Sequence, residues 1–189
     1  MAKVHFFYST MNAGKSTALL QSAHNYHETG NETILFIPRE DAEKNSGLIK
    51  SRIGLKAEAV VIDSKIKIFE YVKNETEKKQ IDAILIDEAQ FLKKHQVLEM
   101  CKVCDELDIP VMCYGIRTDF RGELFEGSAS LLALADNLIE LKTVCNECSR
   151  KATMVVRLDE NSNVVTEGSK VQIGGNDVYR VLCRKHFNE

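Results

Sequence analysis

The sequence contains no apolar run long enough to cross a membrane, no internal repeat and no low-complexity tract. It also lacks the basic excess of a general nucleic-acid-binding protein, since 25 Lys and Arg residues stand against 28 Asp and Glu residues. The segment Met1–Tyr8 turns polar too soon for a secretory signal peptide and predicts a first strand instead. We therefore expect a cytoplasmic protein that binds neither membranes nor nucleic acid.

Cysteine is present, with 6 residues, but nothing favours disulfide bonds. In a cytosolic chain, cysteines are more often metal ligands or buried apolar residues. Cys101, Cys104 and Cys113 lie in or beside apolar periodic stretches, so we predict that they belong to the core or to the surface of a helix.

Strand-like and helix-like segments alternate along most of the chain. The predicted strands are Val4–Tyr8, Thr33–Ile37, Val60–Asp63, Ala83–Asp87, Pro110–Tyr114 and Leu138–Leu141. The predicted helices are Ser16–His27, Ile66–Lys73, Lys94–Leu107 and Ser128–Ala135. This alternation is typical of an α/β fold in which helices cover both faces of a mainly parallel sheet.

The character of the sequence changes near its C-terminus. Ala152–Leu158 and Val178–Leu182 are rich in β-branched residues and predict two strands, and Asp159–Gly175 predicts a polar loop between them. We therefore predict two domains, residues 1–143 and residues 144–189.

A phosphate-binding loop is predicted at Ser9–Ser16, between the first strand and the first helix. The segment fits the pattern G-x-x-x-x-G-K-[ST], except that Ser9 replaces the first glycine. In such a loop, backbone N–H groups and the helix N-terminus bind phosphates, Lys15 reaches the β- and γ-phosphates, and the Ser16 hydroxyl binds Mg²⁺. We expect Lys15 to be an exposed loop charge. A positive φ at Ser9 would be unfavourable.

Two acidic residues, Asp87 and Glu88, end the most apolar predicted strand. Carboxylates at the carboxyl edge of a buried parallel strand lie beside the phosphate loop, where Asp87 can hold Mg²⁺ and Glu88 is free for proton transfer. A solvated turn is the alternative for this pair alone. Together with the loop, the pair predicts nucleoside-triphosphate chemistry. A GTPase is disfavoured because no guanine-reading N/T-K-x-D motif follows a strand, and a motor ATPase usually needs more chain.

Two pairs of metal-ligand residues are spaced as in zinc sites. Cys145-x-x-Cys148 and Cys183-x-x-His186 each have knuckle spacing, and four such ligands form a closed, structural zinc site. The alternatives are four unrelated residues and, with less support, a catalytic zinc with an open position.

These motifs together resemble the thymidine kinases found in many bacteria and in the animal cytosol, over nearly the whole chain. The resemblance rests on Met11–Thr17, Asp87–Phe91, Cys113–Glu123, the two ligand pairs, Ile173–Asn176 and Tyr179. It implies a RecA-like P-loop domain with a parallel sheet and a small C-terminal zinc-bearing β domain. It also implies transfer of the γ-phosphoryl group of ATP to the 5′-hydroxyl of thymidine, a homotetramer, and feedback inhibition by thymidine triphosphate.

The resemblance also implies roles for individual residues. Glu88 would be the catalytic base, and Ser16 and Asp87 would hold Mg²⁺. ATP would be bound by Ser9, Thr10, Met11, Asn12, Ala13, Gly14, Lys15, Ser16, Asp87, Glu88, Ala89 and Gln90. Thymidine would be bound by Met11, Phe91, Ile116, Phe120, Phe125, Lys170, Val171, Gln172, Ile173, Gly174 and Tyr179. From spacing alone, the aromatic residues among these would be ordinary core residues.

The sequence departs from the family pattern after the second strand. Family members often carry an Asp-x-Arg pair there, and this chain has Asp41 followed by Glu43 where the arginine would stand. Arg52 and Lys44 are the candidates to supply the missing cation. Two other functions remain open: a kinase for another deoxynucleoside such as deoxycytidine, and a DNA-binding ATPase with a zinc knuckle.

Overall fold

The computed structural model of the chain describes residues 1–169 and 178–189. In chain order, the strands are β1 (Val4–Ser9), β2 (Thr33–Pro38), β3 (Leu48–Lys50), β4 (Lys56–Glu58), β5 (Val60–Ile62), β6 (Ala83–Ile86), β7 (Val111–Ile116), β8 (Asn137–Glu140), β9 (Thr143–Val144), β10 (Lys151–Ala152), β11 (Met154–Leu158), β12 (Val164–Val165) and β13 (Tyr179–Leu182). The helices are α1 (Lys15–Glu28), α2 (Arg39–Asn45), α3 (Ile68–Thr76), α4 (Lys94–Leu107), α5 (Glu126–Leu134) and α6 (Arg184–Phe187).

The main sheet has six strands in the order β5-β2-β6-β7-β1-β8, and every pairing within it is parallel. The predicted α/β fold with a parallel sheet is therefore confirmed. Parallel strands require crossover connections, and these bring the carboxyl ends of β1, β6 and β7 to the same edge. This edge carries the candidate active site.

Helices cover both faces of the sheet, as predicted. On β6, Ile84 and Ile86 point into a core shared with α3, α4 and α5, and Ala83 and Leu85 point into a second core shared with α1 and α2. The alternation follows from the pleat, which directs successive side chains to opposite faces. A strand buried on both faces must be apolar throughout, and the Ala83–Ile86 segment is fully buried.

Helix α2 and the β3–β4 hairpin were not predicted. Most residues of α2 are polar, so the segment has no apolar helical period, although Ala42 packs into the core. The hairpin strands have three residues each and contribute the buried Ile49. Elements this short are anchored by one apolar side chain, which leaves no periodic pattern to detect.

The C-terminal segment contains small antiparallel sheets. Strand β11 lies between β12 and β13, and β9 pairs with β10. The loop predicted at Asp159–Gly175 is thus interrupted by the two-residue strand β12, and the short helix α6 was not predicted. Among the described residues, no helix is long and apolar enough to cross a membrane.

Candidate active site

The predicted phosphate loop connects β1 to α1. Ser9 is the last residue of β1 and is therefore extended, so the strain expected there is absent. The left-handed positions are Asn12, at φ 62°, and Gly14, at φ 74°. A Cβ on Gly14 would meet nothing within 4 Å, so glycine is favoured here by the backbone conformation and not by space.

Lys15 begins helix α1 and is only 7% exposed, so the expectation of an exposed loop charge is wrong. Its Nζ donates to Ser9 Oγ at 3.1 Å and to the Thr10 carbonyl oxygen at 2.8 Å. Burial lowers the pKa of Lys15, the charges of Glu88 and Asp87 raise it, and the charge of Arg52 lowers it. Two carboxylates and a second cation therefore act on the charge of Lys15.

Asp87 follows β6 directly and is 3% exposed. Burial, and then the charge of Glu88, raise the pKa of Asp87 to about 7, against a hydrogen bond from Ser16, a backbone hydrogen bond from Glu88 and the charge of Lys15. The backbone N–H of Glu88 donates to Asp87 Oδ1 at 3.0 Å. The structure thus brings together Ser16 and Asp87, the pair predicted to hold Mg²⁺.

Glu88 has a left-handed backbone, at φ 48° and ψ 38°, before a 3₁₀ turn at Ala89–Phe91. Such a conformation costs a non-glycine residue on the order of 1–3 kcal/mol, and residues of this kind cluster at functional sites. The Gln90 side-chain amide donates to the Glu88 carboxylate, and its Oε1 accepts from the Ile116 backbone N–H at 3.1 Å. Gln90 therefore ties the Glu88 carboxylate to the end of β7.

Two glycines that were not predicted allow this turn to pack closely. A Cβ on Gly115 would lie 2.8 Å from Gln90 Oε1, and a Cβ on Gly127 would lie 2.4 Å from the Ala89 carbonyl oxygen. Both distances are shorter than carbon and oxygen tolerate, so β7 and α5 can approach the turn only with glycine at these positions. Gly115 and Gly127 fall just outside the predicted strand Pro110–Tyr114 and the predicted helix Ser128–Ala135, so the predicted elements gave no signal for them.

The aromatic candidates form two groups. The rings of Phe91 and Phe125 meet edge to face, with centroids 5.8 Å apart. Phe120 lies instead against the guanidinium group of Arg157, at 4.0 Å. Met11 packs against the buried apolar cluster of the C-terminal segment, which includes Val156 and Leu182. The other described candidates are Ile116, which ends β7, and Tyr179, which begins β13. Lys170, Val171, Gln172, Ile173 and Gly174 lie outside the described residues.

The loop after β7 is organised by Asp119, which sequence reasoning did not select. Asp119 is 2% exposed, and its Oδ1 accepts from the backbone N–H groups of Arg121 at 2.9 Å and Glu123 at 3.0 Å. Arg121 also pairs with the Asp119 carboxylate at 3.3 Å. This carboxylate fixes the turn that carries Phe120.

The predicted metal ligands form a compact cluster. The four ligand atoms of Cys145, Cys148, Cys183 and His186 all lie within 4.8 Å of one another. Desolvation raises the pKa of Cys145, but hydrogen bonds from His186 and from backbone groups outweigh it and lower the pKa to about 6. A thiol of low pKa readily becomes the thiolate that binds metal. The cluster is thus suited to a metal ion.

The other three cysteines lie apart from this cluster. Cys101 and Cys104 are on α4, where Cys104 is buried, and Cys113 is buried on β7. The prediction that they belong to the core or to a helix surface is confirmed. Burial raises the pKa of Cys104 to about 12, which keeps this thiol protonated.

Comparison with known proteins gives one consistent result. Residues 2–187 match the family model described as thymidine kinase. Over all 189 residues, the chain is 53% identical to a thymidine kinase of Rhodopirellula baltica, covering 89% of that protein. It is 52% identical to a thymidine kinase of Zymomonas mobilis and 51% identical to one of Escherichia coli K12, covering 97% and 92% of their lengths.

Proposed function

The chain belongs to the thymidine kinase family, an ATP-dependent family of transferases, and we propose that it transfers the γ-phosphoryl group of ATP to the 5′-hydroxyl of thymidine. The product would be thymidine monophosphate, a precursor for DNA synthesis. Within the molecule, the observation that carries this proposal is the placement of Lys15 after β1 and of Asp87 and Glu88 after β6, at the carboxyl edge of one parallel sheet, where both acidic charges raise the pKa of Lys15. This arrangement provides a cation for phosphates beside a carboxylate for an acceptor hydroxyl.

The ATP phosphates would lie on the loop Ser9–Ser16, with Lys15 facing the β- and γ-phosphates. Asp87, Glu88, Ala89 and Gln90 would line the same site. Ser16 and Asp87 would hold Mg²⁺, whose chemistry is to spread the negative charge of the phosphates. Arg52 is a candidate for the missing family cation, because its charge acts on Lys15 and lowers the pKa of that group.

Glu88 would orient the 5′-hydroxyl of thymidine and accept its proton. Its carboxylate is held by Gln90, so it needs little reorganisation before the reaction. The thymine ring would be enclosed by Phe91, Phe125 and Ile116 near Glu88, with Met11, Phe120 and Tyr179 towards the C-terminal segment. Residues 170–174 complete this proposed set.

Phosphoryl transfer from radiolabelled ATP to a panel of nucleosides tests the proposed function. We expect label in thymidine 5′-monophosphate and much less in deoxycytidine 5′-monophosphate. Preferential labelling of deoxycytidine would support the alternative deoxynucleoside kinase. ATP hydrolysis without a nucleoside, stimulated by DNA in a salt-dependent manner, would support a DNA-binding ATPase.

The cluster of Cys145, Cys148, Cys183 and His186 is proposed to hold one structural zinc ion. A tetrahedral zinc ion with Zn–S bonds of about 2.3 Å and Zn–N bonds of about 2.0 Å keeps its ligand atoms roughly 3.5–3.8 Å apart. The His186 Nδ1 lies 3.5 Å from Cys145 Sγ and 3.6 Å from Cys183 Sγ, and the Cys148 and Cys183 sulfurs are 3.9 Å apart. The residues therefore fit this metal.

The purified protein is expected to contain about one tightly bound zinc ion per chain. Cys148→Ser should lose the zinc and weaken thymidine binding, since the ion links the start and the end of the C-terminal segment. Cys101→Ser, which changes a cysteine outside the cluster, should keep it. Elemental analysis of the three proteins measures this, and a fully active protein without zinc would contradict the proposal.

Several wider properties complete the proposal. We propose a cytoplasmic homotetramer that is inhibited by thymidine triphosphate and does not bind nucleic acid. We also propose that residues 1–143 form the ATP-binding domain and residues 144–189 the zinc-binding and substrate-lid domain. Family membership supports the proposed substrates, and the other properties remain predictions.

A further inference from the structure

A buried arginine lies in the middle of the C-terminal sheet. Arg157 is on β11, where its neighbours Val155, Val156 and Leu158 are all buried, and it is itself only 4% exposed. A charged side chain is rarely buried to this extent unless its polar groups have specific partners. The contacts of this guanidinium group therefore suggest a purpose beyond packing.

One edge of the guanidinium group holds a short segment of chain. Nη1 donates to the Ser169 carbonyl oxygen at 2.7 Å, and Nη2 donates to the Glu167 carbonyl oxygen at 2.8 Å. Between them, Gly168 has φ 113°, and a Cβ added there would lie 2.7 Å from Nη2. The chain can wrap this closely around the guanidinium group only because residue 168 is glycine.

The flat face of the same group contacts an aromatic ring. The guanidinium carbon lies 4.0 Å from the ring centroid of Phe120, which is 4% exposed. Arg157 also stands directly opposite Tyr179 in the register of β11 with β13, so these two side chains leave the sheet on the same face. One arginine therefore connects the segment Glu167–Ser169 with Phe120 and lies beside Tyr179.

We propose that Arg157 is a positioning residue for nucleoside binding: it holds Phe120 and the segment Glu167–Ser169 in one fixed arrangement. The inference rests on the proposed function, which places Phe120 and Tyr179 against thymine. Arginine suits this role because its planar group can donate in its plane to two carbonyl oxygens while its face stacks on a ring. The ammonium of lysine cannot do both in this geometry.

Arg157→Lys keeps the positive charge but removes the paired donation to two carbonyl oxygens and the stacking on the Phe120 ring. We expect the thymidine concentration for half-saturation to rise roughly tenfold to a hundredfold, as for the loss of charge-assisted hydrogen bonds and a buried cation–π contact, with ATP half-saturation and zinc content unchanged. Arg180→Lys is the matched control, because Arg180 lies on the neighbouring strand, half-exposed and paired with Glu147. The control should leave both half-saturation values unchanged.

Gly168→Ala provides a second variant that retains Arg157. Its Cβ should push the segment away from Nη2, so the thymidine concentration for half-saturation should again rise. In the double variant, Arg157→Lys with Gly168→Ala, this concentration should rise by less than the product of the two single increases, because both changes disrupt the same contact. Equal rises for thymidine and ATP, or no rise in folded Arg157→Lys protein, would overturn the proposal.

A measurement without substrate separates this inference from the proposed function. Amide hydrogen exchange at Glu167–Ser169 should be faster in Arg157→Lys than in the unchanged protein and in Arg180→Lys. Unchanged exchange would refute the positioning role whatever nucleoside the enzyme uses. Faster exchange in a protein that does not phosphorylate thymidine would refute only the proposed function.

Discussion

Replacing Lys15 by methionine is expected to lower turnover by about two to three powers of ten while the chain remains folded, as for the loss of one strong electrostatic contact to a transition state. Nζ would no longer face the phosphates, where negative charge must be stabilised as the γ-phosphoryl group moves. Methionine is a better replacement than alanine because Lys15 is buried, and alanine would leave a cavity beside α1.

The burial of Lys15 also suggests a competing explanation for any loss of activity. Nζ donates to Ser9 Oγ and to the Thr10 carbonyl oxygen, so its removal could loosen the loop itself. Thermal unfolding of Lys15→Met, beside Lys3→Met as an exposed control, measures this effect separately from turnover. A folded Lys15→Met protein with near-normal turnover would refute the phosphate-loop assignment.

The central strands of the main sheet, β2, β6 and β7, were predictable because they are largely buried on both faces. A strand such as Ala83–Ile86 must then be apolar along its whole length, and this pattern is easily recognised. Carboxyl ends of parallel strands share an edge, so the neighbourhood of the phosphate loop and Asp87 also followed from the order of elements. Helix α2 is mostly polar in sequence, with Ala42 packed into the core, and gave no such pattern.

The internal geometry of the site was less predictable. The left-handed backbone of Glu88 is imposed by its surroundings, where Gly127 lets α5 approach the Ala89 carbonyl oxygen and Gln90 binds both Glu88 and Ile116. The contacts made by Ile116 and Gly127 join residues far apart in the sequence, and no local pattern encodes them. Arg157 gave one signal, a single charge within an apolar strand, but its contacts with Phe120 and Ser169 required the structure.

Glu88→Gln is expected to bind thymidine and ATP almost normally yet to lose roughly two to four powers of ten in turnover, the usual contribution of general base catalysis. The acceptor is a primary alcohol, whose proton must leave as the new P–O bond forms. Glutamine keeps the size of the side chain, and its carbonyl oxygen can still accept the hydrogen bond from Gln90. The substitution therefore removes the basic oxygen and leaves the link to β7 in place.

The competing role for Glu88 is to shape the pocket or to help hold a metal ion. In that case Glu88→Gln should chiefly raise the concentrations of thymidine and ATP needed for half-saturation, with turnover at saturation little changed. Turnover and half-saturation are measured for both substrates, with Glu28→Gln as a control at a side chain that is 70% exposed at the end of α1. Near-normal turnover in folded Glu88→Gln protein would exclude Glu88 as the base, because the reaction would then proceed without its carboxylate. A selective fall in turnover, with the control unaffected, is the result expected if this carboxylate accepts the proton.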